Sequence, residues 1–314
     1  MPAFSRRDFL RVTAGAAACA AVDSRAALGA AEVKPAPFKL RHVLSTNQYG
    51  CLPVADIVPE MHRAGCAALD LWAGRWGNTR EQVDAMGHEK FAELLQRHRA
   101  KVGTYTCMDP GFAKCEPHLR AMLKFGGDTI VAGFPGAPGA KDLRGDDLRR
   151  GIRASAEKLK PIIAVAGELG AKLAIENHLN GFLEPPEGML MLMEEIKERH
   201  VGIAFAPFHL PQDPVLLGKL VGDLGERILY FYAWQRGDGS GDLPVDVQKR
   251  QLPGVGPLDF KPMLAALKRH TFAGWTSIFM HPTPRGSPLH PTVPAVTDQL
   301  NLARAYLERT LAEV

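Results

Sequence analysis

Beyond residue 37 the chain alternates short apolar runs with longer stretches in which apolar residues recur at helical spacing. The short runs are rich in Val, Ile and Leu and are continuously apolar, the pattern of strands buried on both faces of a parallel sheet. Eight such strands are predicted, at 41–45, 67–71, 101–106, 129–132, 173–176, 201–205, 228–232 and 276–279. Helices are predicted between them near 54–64, 79–99, 117–125, 148–169, 186–198, 214–225 and 258–269, with 293–311 closing the ring. Asp56 and Asp213-Pro214 serve as entry signals, and Gly65, Gly170 and Gly225 as exits. Alternating β and α units with short turns imply a parallel sheet, and eight of them imply closure into a (β/α)8 TIM barrel. No dinucleotide-binding glycine fingerprint follows any strand, which argues against an open doubly wound sheet.

Three connections exceed the usual short loop: 108–116, 133–147 and 235–257. All three follow a strand, and long loops at that face of a barrel build sites or lids.

The candidate chemistry gathers at the ends of two strands, in Leu173-Ala-Ile-Glu-Asn-His178 and Val201-Gly-Ile-Ala-Phe-Ala-Pro-Phe-His-Leu210. Each apolar run ends in ionisable residues, which places Glu176, His178 and His209 at the C-terminal face where barrels carry their sites. Side chains alternate along a strand, so His178 keeps the face of Glu176, and His281 keeps that of Phe279. One carboxylate with two or three imidazoles makes a donor set for a divalent metal: Mn, Zn, Co, Fe or Mg. The metal candidates are therefore Glu176, His178, His209 and His281, with Glu176 and His209 also the catalytic candidates. Arg285, in the loop after the last strand, suits an anion or a sugar hydroxyl. Trp72, Trp76, Tyr49, Tyr232 and Trp234 offer flat rings for stacking on a pyranose, and Asn47 and Asp70 offer hydroxyl contacts. Against this stands ordinary packing, since rings between loops and lone histidines more often fill space or bond locally.

Composition narrows the partners. The 314 residues are 46% hydrophobic and 23% charged, with a formal charge of +4. Residues 1–31 hold four arginines against two aspartates, so the remainder carries +2. No basic stripe or tail marks a nucleic-acid footprint, while the flat rings suit a small-molecule carbohydrate as partner. The sequence leaves room for a homo-oligomer. Ser5-Arg-Arg-Asp-Phe-Leu-Arg11, followed by the weakly apolar run 12–22 and the small residues Gly29, Ala30 and Ala31, fits a twin-arginine signal peptide over 1–31. The run is too short to span a bilayer. A single barrel domain is then expected over 32–314, in a periplasmic or other extracytoplasmic protein. Cys51, Cys66, Cys107 and Cys115 show no zinc spacing and are expected as isolated thiols.

The run Ile175-Glu-Asn-His178 with 201–210 resembles strands five and six of the xylose-isomerase-like barrels, the sugar (phosphate) isomerases and epimerases that also include endonuclease IV. Leu252-Pro-Gly-Val-Gly-Pro-Leu-Asp-Phe260 and Gly274-Trp-Thr-Ser-Ile278 resemble that family's ending. The resemblance implies a barrel with a divalent metal held by a Glu, an Asp, a His and a second Glu after strands five to eight. Glu176 matches the first, while Ala206, Tyr232 and Phe279 stand at the other three places. It also gives His209 a substrate-contacting role. Without the second carboxylate a symmetric two-Glu epimerisation is not expected. The function implied is an exported isomerase/epimerase-like enzyme or lyase that removes a proton next to the carbonyl of a sugar or keto-sugar, with metal assistance. The alternative is a non-catalytic or partner-subunit barrel that binds carbohydrate.

Overall fold

The computed structural model describes residues 37–239, 241 and 243–314. The signal-peptide reading of 1–31 lies outside them. Phe38–Val314 form one compact unit.

Eight parallel strands close into a barrel in sequence order: β1 Arg41–Ser45, β2 Ala68–Trp72, β3 Val102–Thr106, β4 Thr129–Gly133, β5 Lys172–Glu176, β6 Val201–Phe205, β7 Ile228–Ala233 and β8 Trp275–Ile278. β1 pairs with β8, Val43 opposite Ser277, which closes the ring. The expected strands agree with these to within two residues at either end.

The helices depart from expectation by breaking. The stretch 54–64 divides into α1 Val54–Ile57 and α2 Glu60–Arg63, because Pro59 cannot donate to the turn before it. The stretch 79–99 divides into α3 Thr79–Met86 and α4 His88–Arg97 at Gly87, whose φ of 88° a helix cannot hold. Likewise 148–169 becomes α6 Gly145–Glu157 and α7 Lys160–Glu168, the second with Pro161 in its first turn. The remaining helices are α5 Glu116–Lys124, α8 Pro186–Glu195, α9 Pro214–Leu224, α10 Val245–Gln248, α11 Lys261–Arg269 and α12 Val293–Ala312. α10 falls within the long connection after β7, expected as loop alone. The four described cysteines are free.

The inside of the barrel is unusually polar for this architecture, whose layers are dominated by branched aliphatics. Register and alternation place Ser45, Asp70, Thr104, Thr106, Glu176, Tyr230, Tyr232 and Ser277 inward. β6 contributes Ala204 to that face, in register with Glu176 of β5 and Tyr230 of β7. Beside them, Asp70 accepts from Thr104 Oγ1 at 2.7 Å, Trp72 Nε1 at 2.7 Å, Thr106 Oγ1 at 2.9 Å and Tyr230 OH at 3.1 Å. Burial nevertheless lifts its carboxyl to about 6, against the pull of those donors.

Candidate metal centre at the barrel mouth

Glu176 ends β5 on the inward face, and His178 follows two residues on. Between them Asn177 faces the other way. Its Nδ2 donates to the carbonyl of Ala206 at 3.0 Å, and Ala206 N donates to its Oδ1 at 2.7 Å. That clamp fixes the end of β6, from which the 3-10 turn Pro207–His209 carries His209 back over the mouth. The rings of His178 and His209 lie with centroids 4.1 Å apart.

One ligand atom from each of Glu176, His178 and His209 lies within 4.8 Å of the others. His209 is 4% exposed and Glu176 equally buried, and His209 Nε2 stands 3.5 Å from Glu176 Oε1. No hydrogen bond forms there, and both ring nitrogens of His209 lack a partner among the described residues. Burial pushes Glu176 up to about 7, with His178 opposing, and pushes His209 down to about 3, with Arg236 adding to the effect. A neutral imidazole beside a weakly acidic carboxyl is no ion pair. Two donors about 2.1 Å from one tetrahedral ion would stand about 3.4 Å apart, so the observed spacing fits a shared cation. An imidazole already neutral at physiological pH is also in the form that ligates. The donor set therefore fits a divalent metal on geometry and protonation, and the ion would give one of the two unpartnered His209 nitrogens its partner.

The three places where the resemblance implies further ligands hold no donor of that kind. Ala206 is fully buried under the Asn177 clamp. Phe279 stacks on Trp72 at 5.2 Å and meets Tyr232 and Trp234 at 5.0 and 4.9 Å. Tyr232 turns its hydroxyl toward Glu176 without completing a hydrogen bond. At two of the three places, Tyr232 and Phe279, an aromatic ring thus stands where a ligand would.

His281 stands outside the three-residue cluster but at the same mouth. Its ring packs edge-on against Phe279, Trp234 and Trp72 at 5.0, 5.2 and 6.3 Å. Burial, then Arg285, His209 and His178, hold its pKa well below the usual histidine value. Gln251, from the connection after β7, accepts from Trp234 Nε1 at 2.9 Å and from His281 N at 3.2 Å, tying the two together.

Two adjoining cavities open here. One of about 700 Å³ is lined by His178, His209, Arg236 and Gln251, the other of about 340 Å³ by Trp72, Trp76, Glu176 and Phe279, and both reach His281 and Arg285. Asn47 lines neither. It is buried, accepting from Ser45 Oγ and Gln48 Nε2 and donating to Met280 O, so its polar ends are spent on the loops. Tyr49 likewise points away, its hydroxyl 2.9 Å from Thr297 of α12. A third cavity, of about 360 Å³, lies at the opposite end of the barrel around Arg41, Lys172 and Trp275, remote from this cluster.

Sequence reasoning missed Asn177, Arg75, Arg236 and Gln251. Arg75 and Arg236 each follow a strand's C-terminal end by three residues, in loops at the same face as the one that drew attention to Arg285.

The matched family model settles the lineage: residues 58–305 match the xylose isomerase-like TIM barrel. The chain belongs to that family. Comparison with curated proteins finds none that matches. Among solved structures, the chain is similar to D-allulose 3-epimerase from Methylomonas sp. at 15% identity and TM-score 0.60, covering 88% of this chain and 99% of that one. It is similar to the probable 3-DHS dehydratase AsbF of petrobactin synthesis from Bacillus anthracis at 13% identity and TM-score 0.63, covering 86% and 99%. It also resembles the IOLI protein with a binding zinc atom, at 14% identity and TM-score 0.62, covering 87% and 99%. Likeness at these identities is likeness of fold. No helix among the described residues is long and apolar enough to cross a membrane.

Proposed function

We propose that the chain is an isomerase/epimerase-like enzyme or lyase that removes a proton next to the carbonyl of a sugar or keto-sugar, assisted by a divalent metal held by Glu176, His178 and His209. The observation that carries this reading is the cluster itself, in which Glu176 and His209 are buried, His178 is exposed, and both His209 nitrogens lack a partner among the described residues. A divalent cation there would polarise a carbonyl oxygen and so acidify the neighbouring C–H. Glu176, at the end of β5 and in the lining of the cavity, is the group we assign to take up that proton. His281 faces the same space as a neutral imidazole, able to donate to or accept from a substrate hydroxyl. Trp72 and Phe279 wall the sugar, and the buried rings behind them exclude water. A D-allulose 3-epimerase and a probable dehydratase share the fold, which supports both outcomes of one abstraction step, return of the proton or loss of a hydroxyl.

The test is hydrogen exchange. Keto-sugars incubated with the protein in heavy water should gain deuterium at the carbon beside the carbonyl, read by NMR. Glu176→Gln should slow that exchange by about 10²–10⁴-fold. A panel of keto-sugars showing no exchange with native protein would contradict the proposal.

The replacement of three ligand positions by Ala206, Tyr232 and Phe279 favours a second reading, a barrel that binds carbohydrate without turnover. Its signature is sugar binding that survives Glu176→Gln together with the absence of exchange. Export by the twin-arginine route, with an extracytoplasmic location, belongs to the proposal and is supported by residues 5–31.

A further inference from the structure

The cavity whose lining includes Glu176 and His178 carries positive charge at its rim. Arg75 comes from the 3-10 turn Gly74–Trp76 after β2, and Arg285 from the loop after β8. Their guanidinium carbons lie 4.5 and 5.4 Å from the centroid of one ring, that of Trp76. Two residues from opposite ends of the chain thus converge on a single indole at the edge of the cavity they both line.

Neither guanidinium has an ion pair or a side-chain hydrogen bond among the described residues, and each presents five donors. Glu176 is the one carboxylate in that cavity's lining, and it belongs to the metal cluster. Burial and then the charge of Arg75 lower the pKa of Arg285, the direction expected of two like charges facing each other. An isolated arginine on a surface is simply hydrated. Two held together on one ring, beside a cavity, form a fork whose repulsion an anion would relieve.

The loops that carry them are anchored. Cys51 N donates to Gly286 O at 3.1 Å, and Leu289 N donates to Gln48 O at 2.8 Å, tying the connection after β1 to the one after β8. A side chain at Gly50, where φ is 55°, would meet Gly286 O at 2.3 Å, so the backbones pack too closely for one. A side chain at Gly286 would stand 3.3 Å from Arg75 O, which puts the β2 loop against the same junction.

We propose that Arg75 and Arg285 grip a carboxylate or phosphate at the end of the sugar remote from the metal cluster, so that the substrate is a sugar acid or a sugar phosphate. This rests on the cavity being the carbohydrate site.

The test compares three keto-hexoses that differ at C6 alone: fructose, fructose 6-phosphate and fructuronate. Each is titrated calorimetrically into the protein as purified, at low salt. At least one anion should bind about tenfold or more tightly than fructose, and the tighter of the two names the head group. Arg285→Gln and Arg75→Gln should each remove that margin, measured against fructose titrated into the same variant. Failure of both anions to outbind fructose overturns the proposal, as does an unchanged preference in both variants. Heavy-water exchange and metal content report on the cluster without touching the rim. Intact exchange without anion preference therefore sinks this inference alone, while anion preference without exchange sinks the catalytic reading alone.

Discussion

Asn177 holds the backbone of Ala206 at both its polar groups, donating to the carbonyl at 3.0 Å and accepting from the amide at 2.7 Å. The residue between two metal candidates on β5 thereby sets where β6 ends and where the turn bearing His209 begins. Asn177→Ala would leave a buried N–H and a buried C=O unpaired at Ala206, a loss of about 3 kcal/mol. Urea denaturation should show that drop, with metal affinity falling alongside it as His209 loses its frame. A variant as stable as the parent would show the clamp to be incidental.

His42 gives the fold a dependence on pH. It faces outward from β1 toward α12, buried, with both ring nitrogens unpartnered. Burial lowers its pKa to about 4, Glu308 opposing and Arg304 adding. The unfolded chain takes up the proton near 6.5 and the folded chain only near 4, so the stabilisation is complete above the first value and is lost as pH falls toward the second. Between about pH 7.5 and pH 4.5 the native protein should lose roughly 3 kcal/mol relative to His42→Leu. Parallel curves for the two proteins across that range would contradict this.

Export is tested at the first arginine pair. Replacing Arg6 and Arg7 together by Lys should retain a full-length precursor in the cytoplasm, seen by fractionation and immunoblotting. Undiminished export of that double variant would remove the twin-arginine assignment.

The barrel was legible in the sequence because buried parallel strands are continuously apolar, and each of the eight runs is set apart by polar residues or glycines. Helix interruptions at Pro59 and Gly87 were legible too, had the breakers been weighed above the periodicity. At the site, Glu176, His178 and His209 stood out because ionisable residues ending an apolar strand are costly without a purpose. Asp70 was harder to place. Its five donors come from β1, β2, β3 and β7, and only closure of the sheet brings Ser45, Thr104, Thr106, Trp72 and Tyr230 around it. The loss of ligands at Ala206, Tyr232 and Phe279 was visible as a departure from the family pattern. That Tyr232 and Phe279 pack with Trp72 and Trp234 into one aromatic wall depends on side-chain volumes meeting across strands, which spacing along the chain does not encode.

The most direct measurement of the central claim is the metal content of purified protein by mass spectrometry, for the native chain and for Glu176→Gln and His209→Ala. The native protein should carry a divalent transition metal close to one per chain, and each variant should lose most of it while keeping a folded circular-dichroism spectrum. Native protein that stays free of metal after incubation with Zn²⁺ or Mn²⁺, or variants that retain as much as the parent, would contradict the account.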